Sequence, residues 1–220
     1  MTLVAITVAM VAVGHPAAGQ QPQPATPPKP AHHPVAARPP LEALTQQAIL
    51  VLPVQYLTFA DSLGWSAQVP SIPTYLHALD DELTFAFGER GFKKRWVFAD
   101  GIARSMKRNP LVGIDPYTLD AGQVRIGSKP DDWQLHDPLA SQLRSLIALS
   151  EARYVLLPVE LQLVNAHGQG RAKLHVVLID ARQAQIQWAG DIFGTLTPHF
   201  TPAIAADIAS RLADLVAPSH

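Results

Sequence analysis

The sequence predicts an α/β sandwich, in which amphipathic helices pack on a mixed β-sheet whose last three strands form an antiparallel meander. Residues 48–54 form a short, continuously apolar run, which is typical of a strand buried on both faces. Three alternating segments with short connections occupy the last third of the chain. Helical stripes with apolar residues three and four apart precede and follow them. The predicted element order is β-α-β-α-α-β-β-β-α.

The first half of the domain contains two predicted strands and two predicted helices. Pro53 lacks a backbone donor and is expected at the end of the opening strand, before a loop over residues 58–73. A helix is predicted over residues 74–90, and Gly91 ends it. Residues 95–98 predict a short second strand. The apolar stripe of the first helix consists of Leu76, Leu79, Leu83 and Phe87.

The second half begins with a helix over residues 100–108, which Asn109-Pro110 ends. An irregular stretch follows, and Asp137-Pro138 then provides an N-cap and a first-turn proline for a third helix. Alternating apolar residues predict the three strands of the meander. Pro202 begins a closing helix. Its apolar face consists of Ile204, Ile208, Leu212 and Leu215.

The chain consists of three regions that differ in composition. The apolar run at residues 3–13 is shorter than the roughly 20 residues of a membrane span, and small residues follow it. Residues 1–19 are therefore predicted to be a signal peptide. Residues 20–40 contain eight prolines and predict a disordered, proline-rich tether. Residues 41–217 are predicted to form one domain.

Charge and cysteine content exclude several classes of protein. The chain has 17 basic and 18 acidic residues, and because Lys29 and Arg38 precede the domain, the domain has 15 basic residues and a net charge of −3. This balance is untypical of nucleic-acid-binding proteins. No cysteine is present, which excludes disulfides, thiolate zinc sites, cysteine nucleophiles and a lipid anchor on cysteine.

Three segments resemble a superfamily of bacterial envelope proteins. Residues 48–53 (AILVLP) are similar to its opening strand, residues 152–156 (ARYVL) to the strand after its middle helix, and residues 178–188 (LIDARQAQIQW) to its last hairpin. The superfamily includes the curli secretion-channel subunit, lipoprotein activators of penicillin-binding proteins and the amino-terminal domain of the Tol–Pal translocation protein. Ala184 stands where the family has a turn glycine.

The resemblance implies a periplasmic or secreted envelope protein without enzymatic activity. Its expected role is that of a scaffold, an assembly factor or a partner-binding module, with envelope proteins as partners and no membrane span in the mature chain. Two alternatives stay open. One is an oligomeric subunit of an export assembly, which makes a homo-oligomer a candidate state. The other is an envelope hydrolase whose active-site residues are dispersed along the chain.

The ionisable residues predict no active site. Asp80, Asp81 and Glu82 are consecutive on a predicted helix, so their side chains point in different directions and are interpreted as a solvated face. His175 is expected alone on a strand face, without the spacing of a metal site. No catalytic, cofactor-binding or metal-binding residue is therefore assigned, and no cofactor is expected.

A cluster of basic residues is the strongest candidate for a partner-binding site. Residues 90–108 contain seven of the 17 basic residues, which favours an acidic partner, although a solvated surface is the alternative. Trp65, in the predicted loop, is either an exposed contact residue or a residue of the core. The candidate partner-binding residues are Arg104, Lys107, Arg108, Lys93, Lys94 and Trp65.

Overall fold

The computed structural model describes residues 41–60, 62–69, 71–110, 113–126 and 133–217. The predicted signal peptide and the predicted tether lie outside these residues. In chain order the strands and helices are β1 Ile49–Val51, β2 Tyr56–Phe59, α1 Ile72–Glu89, α2 Ala99–Arg108, α3 Leu139–Ile147, β3 Tyr154–Ala166, β4 Gln169–Asp180, β5 Gln185–Phe193 and α4 Ala203–Asp214. Single 3-10 turns lie at Glu42–Gln46, Ser66–Gln68, Phe92–Lys94 and Gly122–Val124.

One five-stranded mixed sheet organises the domain. β3 lies in the middle, with β4 antiparallel beside it and β5 antiparallel beside β4. On its other edge β3 pairs in parallel with β1 and, further along, with β2. The predicted fold class, a mixed sheet with a carboxy-terminal meander and covering helices, is confirmed.

The second strand lies elsewhere than the sequence predicts. Residues 95–98 form a single bridge, between Val97 and Leu50, because a 3-10 turn precedes them and α2 begins at Ala99. The second strand on this edge of β3 is instead β2, which includes residues that the sequence predicts as loop. β1 pairs with the first residues of β3 and β2 pairs beyond a register shift at Pro158 and Glu160. The two strands therefore follow one edge of β3, interrupted around Pro53, which has no N–H to donate.

Helices cover both faces of the sheet. On one face α1 and α4 pack together over Leu156, Leu161 and Leu174, and this cluster forms the larger core. On the other face α3 and Ile102 of α2 pack over Val155, Leu157 and other buried apolar residues. The helices begin and end close to the predicted residues, because each apolar stripe meets an apolar sheet face.

Candidate partner-binding surfaces

Arg90 and Arg95, two members of the basic cluster, form hydrogen bonds to distant segments of the domain. The Arg90 side chain is only 8% exposed and pairs with Asp214 at 2.5 Å. It also donates to the backbone oxygens of Ser210 at 3.2 Å and Ala217 at 3.0 Å, at the end of α4. Arg95 donates to the Thr45 carbonyl at 2.5 Å. Both side chains donate to backbone carbonyls at or near the ends of helical segments, so we interpret them as structural residues.

The other five basic residues are exposed and form what we call the cationic surface. Its members are Lys93, Lys94, Arg104, Lys107 and Arg108. Within the part of the chain that the structure describes, none of the five forms an ion pair. Arg104, Lys107 and Arg108 are three and four residues apart on α2, so they share one helix face.

A cleft of about 370 Å³ brings Lys93 and Arg104 together. The first turn of α2 borders the cleft and has no side-chain cap, because Phe98 precedes it. The positive end of the α2 dipole therefore adds to the charge of the two cations, while Asp100 in the same turn opposes it. The lining residues are Thr84, Lys93, Trp96, Val97, Phe98, Asp100, Gly101 and Arg104. An acidic group with an apolar neighbour fits such a cleft.

Trp65 does not belong to this surface. It is 3% exposed and lies in the larger core, so it is a core residue, as in the second of the two interpretations of its sequence position. Its ring lies on the backbone of Gly170, where a Cβ atom would come within 1.7 Å of the indole. The edge of the ring meets Phe200, with 5.7 Å between centroids. The loop after β2 thus closes over the sheet because Gly170 leaves room for the indole.

His175 has partners that its sequence position did not reveal. It lies opposite Asp191 in β5 and opposite Glu160 in β3, so the three side chains form one row across the sheet. His175 Nδ1 is 2.6 Å from Asp191 Oδ1, and Lys173 Nζ is 2.9 Å from Asp191 Oδ2. Burial tends to raise the pKa of Asp191, but hydrogen bonds from His175 and Lys173 outweigh it and the pKa is lowered.

Glu160 is 2% exposed, and both of its carboxylate oxygens accept hydrogen bonds. Arg125 donates to it with Nε at 3.0 Å and with Nη2 at 2.6 Å, and Thr58 Oγ1 donates at 3.0 Å. The Arg125 guanidinium also stacks on the Tyr56 ring at 4.4 Å. Burial tends to raise the pKa of Glu160, but the bonds from Arg125 and Thr58 outweigh it and lower the pKa. Arg125 thereby anchors the loop before α3 to the sheet.

Asp80 is buried, so the prediction of a solvated helix face is wrong for this residue. It is 5% exposed, and Oδ1 accepts a hydrogen bond from Val54 N at 3.0 Å. Asp81 is exposed and Glu82 half-buried, because α1 turns their side chains away from the sheet. Burial raises the pKa of Asp80 to about 7; the Val54 N–H opposes this rise and the Asp81 charge adds to it.

The structure contains no metal cluster and no membrane-spanning helix within residues 41–60, 62–69, 71–110, 113–126 and 133–217. No three His, Asp or Glu side chains in these ranges lie close enough together to hold a metal ion. No helix there has both the length and the hydrophobicity required to cross a bilayer.

Comparison with known proteins gives only partial likenesses of fold. No protein-family model and no curated protein matches the chain. LpoB of Escherichia coli is 17% identical, with 87% of this chain and 94% of LpoB covered and a TM-score of 0.37. Lipoprotein GNA1162 of Neisseria meningitidis is 15% identical, with 79% and 99% covered and a TM-score of 0.36. A PelC dodecamer from Paraburkholderia phytofirmans gives 13% identity, 78% and 90% coverage and a TM-score of 0.33. Likenesses at this level carry no information about function.

Proposed function

We propose that this chain is a non-enzymatic partner-binding domain of the bacterial envelope, and that its cationic surface binds an acidic envelope protein. The observation that carries the proposal is the set of five exposed cations without ion-pair partners among the described residues. Two of them, Lys93 and Arg104, line a cleft with apolar walls. Residues 1–19 would deliver the domain to the periplasm or the exterior, and residues 20–40 would space it from other parts of the envelope.

The electrostatics of the cationic surface suit recognition of an acidic partner. Three cations lie on one face of a regular helix, so their relative positions are fixed. Their charges attract an acidic patch over about 10 Å in physiological salt. Trp96 and Phe98 make the cleft wall beside the charges apolar, although at 3% and 6% exposure each presents little surface. Charge would thus provide the encounter rate, and the cleft would provide specificity.

The envelope location rests on the three segments that resemble the envelope superfamily. In the sheet these segments lie side by side. Residues 49–51 pair with residues 154–156, and residues 154–156 pair with residues 178–180 of the hairpin. The similar residues therefore belong to one continuous part of the sheet, which supports a relationship in fold more than three scattered matches would.

Capture from envelope extracts tests the binding surface. The full chain with Arg104, Lys107 and Arg108 replaced by Ala is compared with a control in which the exposed Arg144 and Arg182 are replaced by Ala. We expect the triple variant to retain at most a tenth of the captured acidic partner in low salt, and the control to match the unmodified chain. Stability should stay within about 0.5 kcal/mol of the unmodified chain for both, because exposed charges contribute little to folding. Equal capture by the triple variant at low salt would refute the proposed surface.

The oligomeric state separates the partner-binding role from the role of an export-assembly subunit. Light scattering of the full chain at several concentrations measures the mass directly. A monomer is expected for the partner-binding module, whereas a stable ring mass would favour the export subunit. A shortened chain without residues 20–40 should bind the purified partner with unchanged affinity, because a spacer contributes reach and no contact.

A further inference from the structure

Asp80 lies between α1, the end of β1 and the start of α2, and none of the described residues forms an ion pair with it. It projects from α1, and its Oδ1 accepts the N–H of Val54, just beyond the end of β1. Its Oδ2 is buried and has no hydrogen-bond partner among the residues that the structure describes. Thr84 Oγ1, one turn further along α1, donates to the backbone oxygen of Asp80 at 2.9 Å and is therefore not directed at the carboxyl.

The ionisable neighbours of Asp80 make its negative charge less favourable. The exposed Asp81 follows it on α1 and raises its pKa. Tyr117, on the loop before α3, has a pKa that burial raises to about 12, with a smaller contribution from nearby carboxylates. These carboxylates are Asp80, Asp100, Asp81 and Asp115. His77 stacks on the Tyr117 ring, with 4.4 Å between centroids. The neighbourhood thus contains acids, one phenol and one imidazole.

A small cavity lies next to the Asp80 carboxyl. It measures about 10 Å³, which is close to the lower limit for one water molecule. Its lining residues are Val51, Leu52, Asp80, Leu83, Thr84, Phe98 and Ala99. Thr84 and Phe98 also line the cleft that holds Lys93 and Arg104. Only these two side chains are shared between the buried carboxyl's cavity and the cleft.

We propose that Asp80 is a proton-operated joint between α1, the end of β1 and the start of α2. With the proton bound, the carboxyl is neutral, and its apolar surroundings and small cavity accommodate it. When the proton is lost, the carboxylate lacks a cation, so water enters the cavity and the shared wall of Thr84 and Phe98 moves. The cleft of the cationic surface thereby responds to pH near neutrality. This inference stands on the burial and the missing partner of Asp80 and does not require the proposed function.

The direction of the pH effect follows from the raised pKa. Asp80 has a pKa of about 7 in the folded chain against 3.8 for the ordinary side chain. The stability that the bound proton contributes is fully present below the unfolded value and is lost as the pH rises through 7. From pH 5 to pH 8 this one carboxyl should lower the folding equilibrium constant about a hundredfold.

Unfolding of the full chain in denaturant, measured between pH 5 and pH 8, tests the joint. Asp80→Asn keeps the acceptor for the Val54 N–H and removes the titration, so we expect its pH profile to lack the hundredfold decrease. Asp81→Asn is the matched control, one residue away and exposed, and should keep the decrease. If the unmodified chain and Asp80→Asn have parallel pH profiles, the joint is refuted.

A second measurement locates the titration and does not depend on variants. The Asp80 carboxyl carbon, followed by NMR in the folded chain, should titrate near pH 7, and the indole N–H of Trp96 in the cleft should shift with the same midpoint. In Asp80→Asn the Trp96 shift should disappear. If the Asp80 carboxyl group is already ionised at pH 5, the proposal is overturned. A Trp96 signal that stays constant while Asp80 titrates also overturns it. Partner capture is not involved, so failure of the binding surface would leave this result unaffected.

Discussion

Asp80 and Glu160 are both buried carboxyl groups, yet the structure gives them opposite surroundings. Asp80 is 5% exposed and receives one hydrogen bond, from a backbone N–H. Glu160 is 2% exposed and receives two bonds from Arg125 and one from Thr58. The pKa of Asp80 is raised to about 7, whereas the pKa of Glu160 is lowered.

The comparison shows that burial alone does not set the charge of a carboxyl group. Burial tends to raise the pKa in both cases, and what differs is the number and charge of the donors. Glu160 lies on a strand beside a loop that brings a guanidinium, so it stays ionised. Asp80 lies where α1 meets an apolar strand end, so ionisation is costly. Glu160 thus fixes a loop through Arg125, whereas the proposed role of Asp80 is to take up and release a proton.

Removal of the cation from Glu160 should have the largest effect. Among the described residues, Arg125→Met leaves the buried carboxylate with hydrogen bonds from Thr58 and Gln162. We expect a loss of about 3 kcal/mol in the free energy of unfolding. This value is at the low end for buried pairs because the Arg125 side chain is 37% exposed. Denaturant unfolding at pH 7 measures the loss.

Arg153→Met is the matched control for that experiment. Asp180 is also buried and pairs with Arg153, but it keeps bonds from the backbone N–H groups of Arg182 and Gln183. The loss in the free energy of unfolding should therefore be smaller than for Arg125→Met. Equal losses in the two variants would show that backbone donors do not substitute for the cation.

Acid should act on the two carboxyl groups with opposite sign. Because the pKa of Glu160 is lowered, its contribution is present above the unfolded value and is lost as the pH falls through the folded value. The difference in the free energy of unfolding between the unmodified chain and Arg125→Met should therefore shrink between pH 7 and pH 3. A difference that grows on acidification would contradict the assigned pairing.

The smallest expected effect concerns Asp81. Its charge raises the pKa of Asp80, so Asp81→Asn should lower that pKa by on the order of a few tenths of a pH unit. The effect is small because Asp81 is exposed and salt screens it. NMR titration of the Asp80 carboxyl carbon at low and high salt checks both the direction and the screening.

Local patterns predicted most elements of the fold but not the second strand. Helix stripes and strand alternation act over neighbouring residues, and α1, α2, α3, α4 and the meander formed where they indicate. β2 is four residues long, and only Leu57 in it is buried, so it has almost no periodic signal. Its pairing depends on the free edge of β3, which lies about a hundred residues away.

For the candidate site residues, too, the sequence indicates one part of the outcome and the packing decides the other. The run of cations in residues 90–108 is visible in the sequence, but only the packing of α4 separates the structural Arg90 from the exposed Arg104. Asp80 is four residues after Leu76 and three before Leu83, so it lies at the border of the apolar stripe. That spacing was a signal for burial, and three consecutive acids concealed it.

The sequence by itself determined the fold class, the order of most elements and the composition of the cluster from which the cationic surface is formed. These follow from periodicity and composition, which are properties of neighbouring residues. Only the tertiary structure decided which charges are paired, because Glu160 meets Arg125 and His175 meets Asp191 through contacts between segments distant in the chain. Among the described residues, Asp80 pairs with no cation. A charge's partner and its solvation are properties of three-dimensional packing, and the sequence order does not contain them.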